Sequence, residues 1–394
     1  MNVLPAIVFF CAVAAALVLE LLRRRHVLQW LPGYIRTRLR PTDTVDGPTH
    51  IIFCFVDHFE PAWKRPGLEV ESARVARWCQ DYPLLAGRFT DADGCHPKHT
   101  FFFPEEEYRF EHLERLCRLC AQGFGEIEVH LHHDGDTSAG LRQKLSKFTQ
   151  LLHSCHGALT KDVHTGEIRW GFIHGNWCLD NSRPDGRWCG VNDELIILKE
   201  GGCYADFTFP SAPSDTQPAT VNSLYYATDD PQRPKSHDTG QPVTVGGRPV
   251  GDLMLIQGVL GFDWSSRKFG ILPRIENSDV RAGQPPTAAR VDRWVRLAPT
   301  VRGRPDWKFI KIHTHGAPEP QADVLLGLPL ERMYDYLSRR YNDGVQYALH
   351  YVSAREMYNI IKAAEGGATG DPGSYRDYAL GPPTFAQARA EVSA

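Results

Sequence analysis

The chain has 394 residues, 42% hydrophobic and 11% aromatic, which excludes a disordered protein and is enough to core one large α/β domain or two smaller ones. With 44 basic against 47 acidic residues and a net charge of −3, it carries no electrostatic footprint for nucleic acid, and no nucleic-acid partner is expected. Its ten cysteines follow no disulfide spacing and are expected as free thiols, the closest pair, Cys117 and Cys120, reading as helix packing.

The N-terminus opens with "VLPAIVFFCAVAAALVLELL" (3–22), close to the ~20 apolar residues of a bilayer-spanning helix. Arg23, Arg24, Arg25 and His26 follow it and nothing basic precedes it, which favours an uncleaved anchor over a signal peptide. The expectation is a single-pass membrane anchor over 1–25, with the remainder on the cytoplasmic side by the positive-inside rule. A Pro/Gly/Thr-bearing linker (26–48) follows.

Strand patterns then alternate with helical ones. Strands are expected at 50–57, 99–103, 126–133, 169–175, 204–209, 253–259 and 307–313, with a last short one at 347–352. Helices are expected near 69–89, 105–122, 137–158, 190–201, 287–297, 323–341 and 353–365. Seven or eight βα units in series point to an α/β fold, most simply a parallel (β/α) barrel over 49–365. Residues 211–305 break the alternation and read as an ordered insertion, with a hairpin signal at "VTVGGRPV" (243–250). Residues 366–394 read as a polar, loosely attached C-terminal extension.

The strand ends gather the chemistry. The first ends in "VDHFEP" (Asp57, His58, Glu60) and the third in "VHLHHDGD" (His130, His132, His133, Asp134). The fourth ends in "FIHGNWCLDN" (His174, Asn176, Trp177), the fifth carries Asp206, and the seventh ends in "KIHTHG" (His313, His315). Side chains two apart on a strand share a face, so His130 and His132 project together, as do His313 and His315. In a parallel barrel these ends meet at one mouth, and imidazoles with a carboxylate suit a divalent transition metal such as zinc. Glu105, Glu106 and Glu107 after Pro104 read as the acidic first turn of a helix.

These residues resemble the polysaccharide deacetylase superfamily, the NodB-homology or carbohydrate esterase family 4 group, whose fold is a distorted barrel of seven βα units. "FVDHF" lies where that family has a "TFDDG"-type motif, so Asp57 matches the base and His58 replaces a metal-binding Asp. "FGEIEVHLHHD" aligns with the family's metal-binding phrase, making His130 the first ligand and placing Asp134 at the second position, with His132 or His133 as alternatives. "FIKIHTHG" resembles the motif of the histidine that assists the leaving group, through His313 or His315, and "LHYVSAREMYNIIKAA" resembles the closing strand and helix. The family's arginine and proline motif is not recognisable; its region holds "HGNWCLDNS" and "ADFTFPSAP", with His174, Asn176, Trp177 and Asp206 as substrate-binding candidates.

The resemblance implies metal-assisted removal of acetyl groups from an N- or O-acetylated polysaccharide or lipid-linked glycan, with zinc or another divalent ion as cofactor. Asp57 would accept a proton and His313 or His315 would protonate the leaving group. Two other readings compete. One is another metal-dependent barrel hydrolase, of the amidohydrolase or phosphoesterase kind, which the "HLH" of 130–132 fits. The other is a non-catalytic, membrane-anchored glycan-binding protein.

Overall fold

The computed structural model describes residues 4–40 and 47–385; parts of the expected anchor (1–3), linker (41–46) and C-terminal extension (386–394) lie outside the described residues. The first half of the chain forms α1 (Leu4–Arg24), α2 (Val27–Arg38), β1 (Thr49–His58), α3 (Leu68–Ala86), β2 (His99–Pro104), α4 (Phe110–Leu119), β3 (Gly125–Leu131), α5 (Ser138–His156), β4 (Thr160–Lys161) and β5 (Ile168–His174). The second half forms α6 (Glu194–Glu200), β6 (Cys203–Asp206), β7 (Leu224–Ala227), β8 (Gln241–Pro242), β9 (Leu253–Ile256), β10 (Gly261–Lys268), β11 (Leu272–Glu276), α7 (Ala288–Leu297), β12 (Trp307–Thr314), α8 (Glu319–Leu325), α9 (Leu328–Tyr341), β13 (Tyr347–Val352) and α10 (Ala354–Glu365).

Strand β1 shows why the sheet is covered on both sides. Its odd residues Ile51, Phe53 and Phe55 pack with Trp78, Phe101, Leu116, Val129, Phe172 and Ile312 in one core. Its even residues Ile52, Cys54 and Val56 pack in a second core with Phe102, Ile173, Phe309 and, from α10, Met357 and Ile360. A strand apolar on both faces is stable only between two such layers. Side chains cap the starts of α5, α7 and α10. Thr137 Oγ1 accepts from Gly140 N at 3.1 Å ahead of α5, and Ser353 with Glu356 forms a capping box ahead of α10.

The resulting sheet has eleven strands in the order β12-β1-β2-β3-β5-β6-β9-β7-β8, with β4 beside β5. Strands β12, β1, β2, β3, β5, β6 and β9 pair in parallel, while β7, β8 and β4 are antiparallel. One edge of β1 is shared: β13 pairs with it from Thr49 to Cys54, and β2 takes over from Phe55 to His58. The expected (β/α)7 barrel is corrected here. Among the described residues no ladder joins β12 to the far end of the sheet, because that end is finished by the antiparallel strands of the 211–305 insertion. The hairpin within the insertion is β10–β11, not 243–250.

The expected membrane anchor is also corrected. Among the described residues no helix is long and apolar enough to cross a membrane. In α1 the described apolar run from Ile7 ends at Leu19, roughly 20 Å of rise against the ~30 Å of a hydrocarbon core. The last turns carry Glu20, Arg23 and Arg24, with both arginines bonded to the glutamate. The placement on the cytoplasmic side, inferred from that anchor, falls with it. The expected linker is helical over Val27–Arg38, and Trp30, fully buried, packs on Phe262 and Tyr34 at ring-centroid distances of 5.2 and 6.0 Å. The extension is tied down too, as Arg376 pairs with Asp91, Asp93 and Glu356, and Leu380 and Phe385 are buried.

Candidate metal centre

Because adjacent side chains on a strand face opposite ways, β1 sends Asp57 and His58 to different sides of the sheet. His58 continues the row Ile52, Cys54, Val56. On β3 His130 stands on that same side, opposite the row of Ile127 and Val129, and on β12 His313 does so opposite Ile310 and Ile312. The His58 ring stacks on His315 with centroids 4.5 Å apart, meets His130 edge-on at 4.9 Å and lies 6.4 Å from His313. Both nitrogens of His58 are buried without a hydrogen-bond partner.

Glu60, just past the strand, joins the parts. Its Oε1 lies 3.2 Å from His130 Nε2 and 3.3 Å from His132 Nε2, and its Oε2 is buried without a partner. The far nitrogens of both histidines are already engaged, His130 Nδ1 with the Ile173 carbonyl at 2.9 Å and His132 Nδ1 with Glu106. Each ring is thereby oriented with Nε2 toward the cluster, as an acceptor on the far nitrogen orients a metal-binding histidine. Two donor groups result, His58–Glu60–His315 and Glu60–His130–His132, each with its ligand atoms within 4.8 Å of one another. Gly175 permits the close approach of the next strand end, since a Cβ there would stand 2.4 Å from His132 Cδ2.

Electrostatics favour neutral imidazole at two of these rings. Burial pushes His58 well below its ordinary value, and the neighbouring His315 and His130 add to it. Burial also lowers His130, against the pull of Glu60. Burial opposes charge on His132, yet its bonds to Glu106 and Glu60 prevail and push it up to about 10. Burial works against charge on Glu60 as well, but the hydrogen bonds from His130 and His132 hold its carboxyl far below the usual range. Neutral His58 and His130 beside an ionised Glu60 are the protonation states that a divalent ion requires, whereas His132 has to release its Nε2 proton to bind one.

The structure brings together six of the expected site residues, His58, His130, His132, His313, His315 and Trp177, and places Asp57, His133, Asp134, His174, Asn176 and Asp206 in other surroundings. Asp57 faces the opposite core, where its fully buried carboxylate accepts from Gly316 N at 2.6 Å and contacts His99 Nε2 at 2.8 Å. It is thus placed away from the cluster it was expected to serve as base. Asp134 is exposed and accepts from Trp188 N at 2.6 Å. Asp206 is buried against Thr208 and is no open substrate contact; burial raises its pKa, while burial lowers that of nearby Lys311. Trp177 does flank the cluster, 5.7 Å from His58 and 5.5 Å from His315, and Trp63, exposed at 43%, stands 6.4 Å from His315.

His133 and His174 belong to a separate buried group with Cys189 and Glu194. Asn176 is half-buried beside it and points its backbone N–H at His174 Nδ1, 3.3 Å away. The sequence named Glu60 at a strand end without a role and Glu106 as part of a helix's acidic first turn, and His99, Cys189 and Glu194 were not singled out. Glu60 had a legible signal, since it lies two residues beyond His58.

The molecule is therefore a mixed α/β protein with a large, mostly parallel sheet and buried histidine, cysteine and glutamate groups that can hold a metal ion. Compared with models of known protein families and with curated proteins, the chain matches none.

Proposed function

We propose that the chain is a metal-dependent hydrolase acting on an acetylated glycan, with the His58–Glu60–His130–His132–His315 cluster as its centre. The observation that carries this reading is Glu60, a buried carboxylate facing two preoriented Nε2 atoms while His58 offers two unpartnered nitrogens beside it. A divalent ion held there would polarise a substrate carbonyl and ease deprotonation of water. His313 is the candidate proton carrier in this reading because its Nδ1 is buried without a partner on the side of the sheet that holds His58; burial lowers its pKa, so charge developing on the substrate has to offset that cost when the ring takes up a proton. Trp63 and Trp177 are suited to the apolar face of a sugar ring. The glycan and acetyl specificity rest on the resemblance of the "FVDHF", "VHLHHD" and "KIHTHG" segments to polysaccharide deacetylases.

A second reading has its own support. Glu60 belongs to both donor groups, as a carboxylate bridging two ions would, and two-ion centres suit phosphoester hydrolysis. The full chain, loaded with zinc, should release acetate from acetylated oligosaccharides, and Glu60→Gln should lower that turnover at least about a hundredfold while leaving the circular dichroism spectrum unchanged. Turnover of phosphoesters in place of acetylated sugars would select the two-ion reading. Undiminished turnover in the variant would overturn the centre.

A further inference from the structure

The chain between β5 and α6 runs through residues 175–193 with a single short 3-10 turn at Leu179–Asn181, and it carries Trp177. A loop of that length needs something to hold it. Four side chains converge beneath it: His133 from the end of β3, His174 from the end of β5, Cys189 from the loop and Glu194 from the first turn of α6. His174, Cys189 and Glu194 are fully buried and His133 is 5% exposed. The two rings face each other Nε2 to Nε2 at 2.9 Å, and Glu194 Oε1 lies 3.3 Å from His133 Nε2 and 3.8 Å from His174 Nε2. Cys189 Sγ stands 3.2 Å from Glu194 Oε2.

This group is poorly matched by protons alone. One proton between the rings satisfies the His133–His174 contact, but Glu194 Oε1 stays buried without a hydrogen-bond partner, and among the described residues no lysine or arginine pairs with Glu194. Glu194 Oε2 accepts from Asp180 N at 2.6 Å and from the Cys189 thiol at 3.2 Å, which meets part of the carboxylate's need, but a buried charge with no cation beside it remains costly. A divalent ion bound by one thiolate, one carboxylate and two neutral imidazoles is a net-neutral tetrahedral site, the closed arrangement of structural zinc. The rings would have to part from 2.9 Å to the ~3.3 Å expected between two nitrogens on one tetrahedral zinc. On the His133 side the supporting contact is in place, with Nδ1 at 3.2 Å from Asp136 Oδ2, itself paired to Lys144 at 2.7 Å, whereas His174 Nδ1 accepts from Asn176 N at 3.3 Å, a contact that binding through Nε2 has to give up. Gly190, at φ 103°, lets the loop press on Asp136, where a Cβ would meet its amide nitrogen at 2.7 Å.

We propose that His133, His174, Cys189 and Glu194 form a second, closed zinc-type centre, distinct from the Glu60 cluster, that staples the 175–193 loop and so sets Trp177 beside His58. The centre is independent of the hydrolase reading, because it concerns metal bound and not substrate turned over.

The test is cobalt substitution of the full chain. Wild-type protein should show thiolate-to-cobalt charge-transfer absorption in the near ultraviolet. Cys189→Ser should lose that absorption together with one equivalent of bound cobalt, whereas His58→Ala and His130→Ala should keep it. Should Cys189→Ser fail to fold, Cys189→His decides, retaining the metal equivalent without the absorption. Absence of the absorption in the wild type would leave a metal-free histidine pair and overturn the proposal, as would its persistence in either Cys189 variant. Failure of the hydrolase reading would instead leave this absorption intact while no substrate is turned over.

Discussion

Glu106, exposed at the rim of the cluster, and Glu128, buried beneath it, illustrate two uses that this chain makes of carboxylates. Glu106 reaches back from the turn after β2 to His132 Nδ1, and in that position it sets the ring's tautomer and direction. Replacing it by Gln weakens the acceptor without changing the shape, so Glu106→Gln should lower metal affinity about 10–100-fold, read by competition with a chromophoric chelator, and leave stability without metal little changed. Glu128, two residues before His130, is buried between Tyr204 and the Gly171 amide. Burial pushes its pKa from 4.5 up to about 8. A carboxyl whose folded value is raised stabilises the fold fully below its unfolded value, and that contribution drains away as pH rises through about 8. Glu128→Gln, neutral at every pH, should therefore abolish a loss of stability on the order of a few kcal/mol between about pH 5 and about pH 9, measured as urea midpoints at the two ends. The histidines around Glu60 were legible because imidazoles two apart at strand ends are uncommon without a purpose. The base was misplaced because Asp57 and His58 are neighbours on a strand, and alternation forbids them a shared face.

Most of the βα order was legible in hydrophobic periodicity, and the elements that escaped it were those defined by tertiary partners. The helix Val27–Arg38 holds Pro32 and Gly33 and has a weak apolar face, so its segment reads as linker until Trp30 is seen against Phe262 of β10. Strands β7, β8, β10 and β11 were not expected, Pro242 and Pro273 standing inside β8 and β11, and their pairing is fixed by neighbours that no local pattern records. Trp30 is the anchor of this arrangement, packed with Val27, Ala212, Val221 and Leu260. Trp30→Ala leaves a large cavity where the helix meets the insertion, and a loss of about 3–5 kcal/mol is expected. Urea denaturation measures it, and trypsin should cut the variant at Arg36 and Arg38 faster than the wild type. Equal cleavage rates with unchanged stability would mean that the helix is not held by this contact.

At the scale of the whole molecule, the parallel run β12-β1-β2-β3-β5-β6 followed from alternating strand and helix patterns, whereas among the described residues no ladder closes the sheet into a barrel, its far edge being taken by the strands of the insertion. Closure depends on which strands meet at the ends of a sheet, and hydrophobic periodicity carries no signal for that. What the open sheet still achieves is convergence: β1, β3 and β12 deliver His58, His130 and His313 to one place although they are remote in sequence. On the opposite side the ends of β3 and β5, with the loop after β5, deliver His133, His174 and Cys189 to another. Metal bound at either place links segments that only the folded state brings together, so it must stabilise that state by mass action. At free zinc one hundred times the dissociation constant, each site adds about 2.7 kcal/mol. Urea midpoints with zinc and with a chelator should differ accordingly. Glu60→Gln and Cys189→Ser should each remove part of the difference, and the double variant nearly all of it, because the two groups hold different ligands and sites without shared partners act additively. A chelator that leaves the wild-type midpoint unmoved would show that the polar interior is satisfied by protons alone.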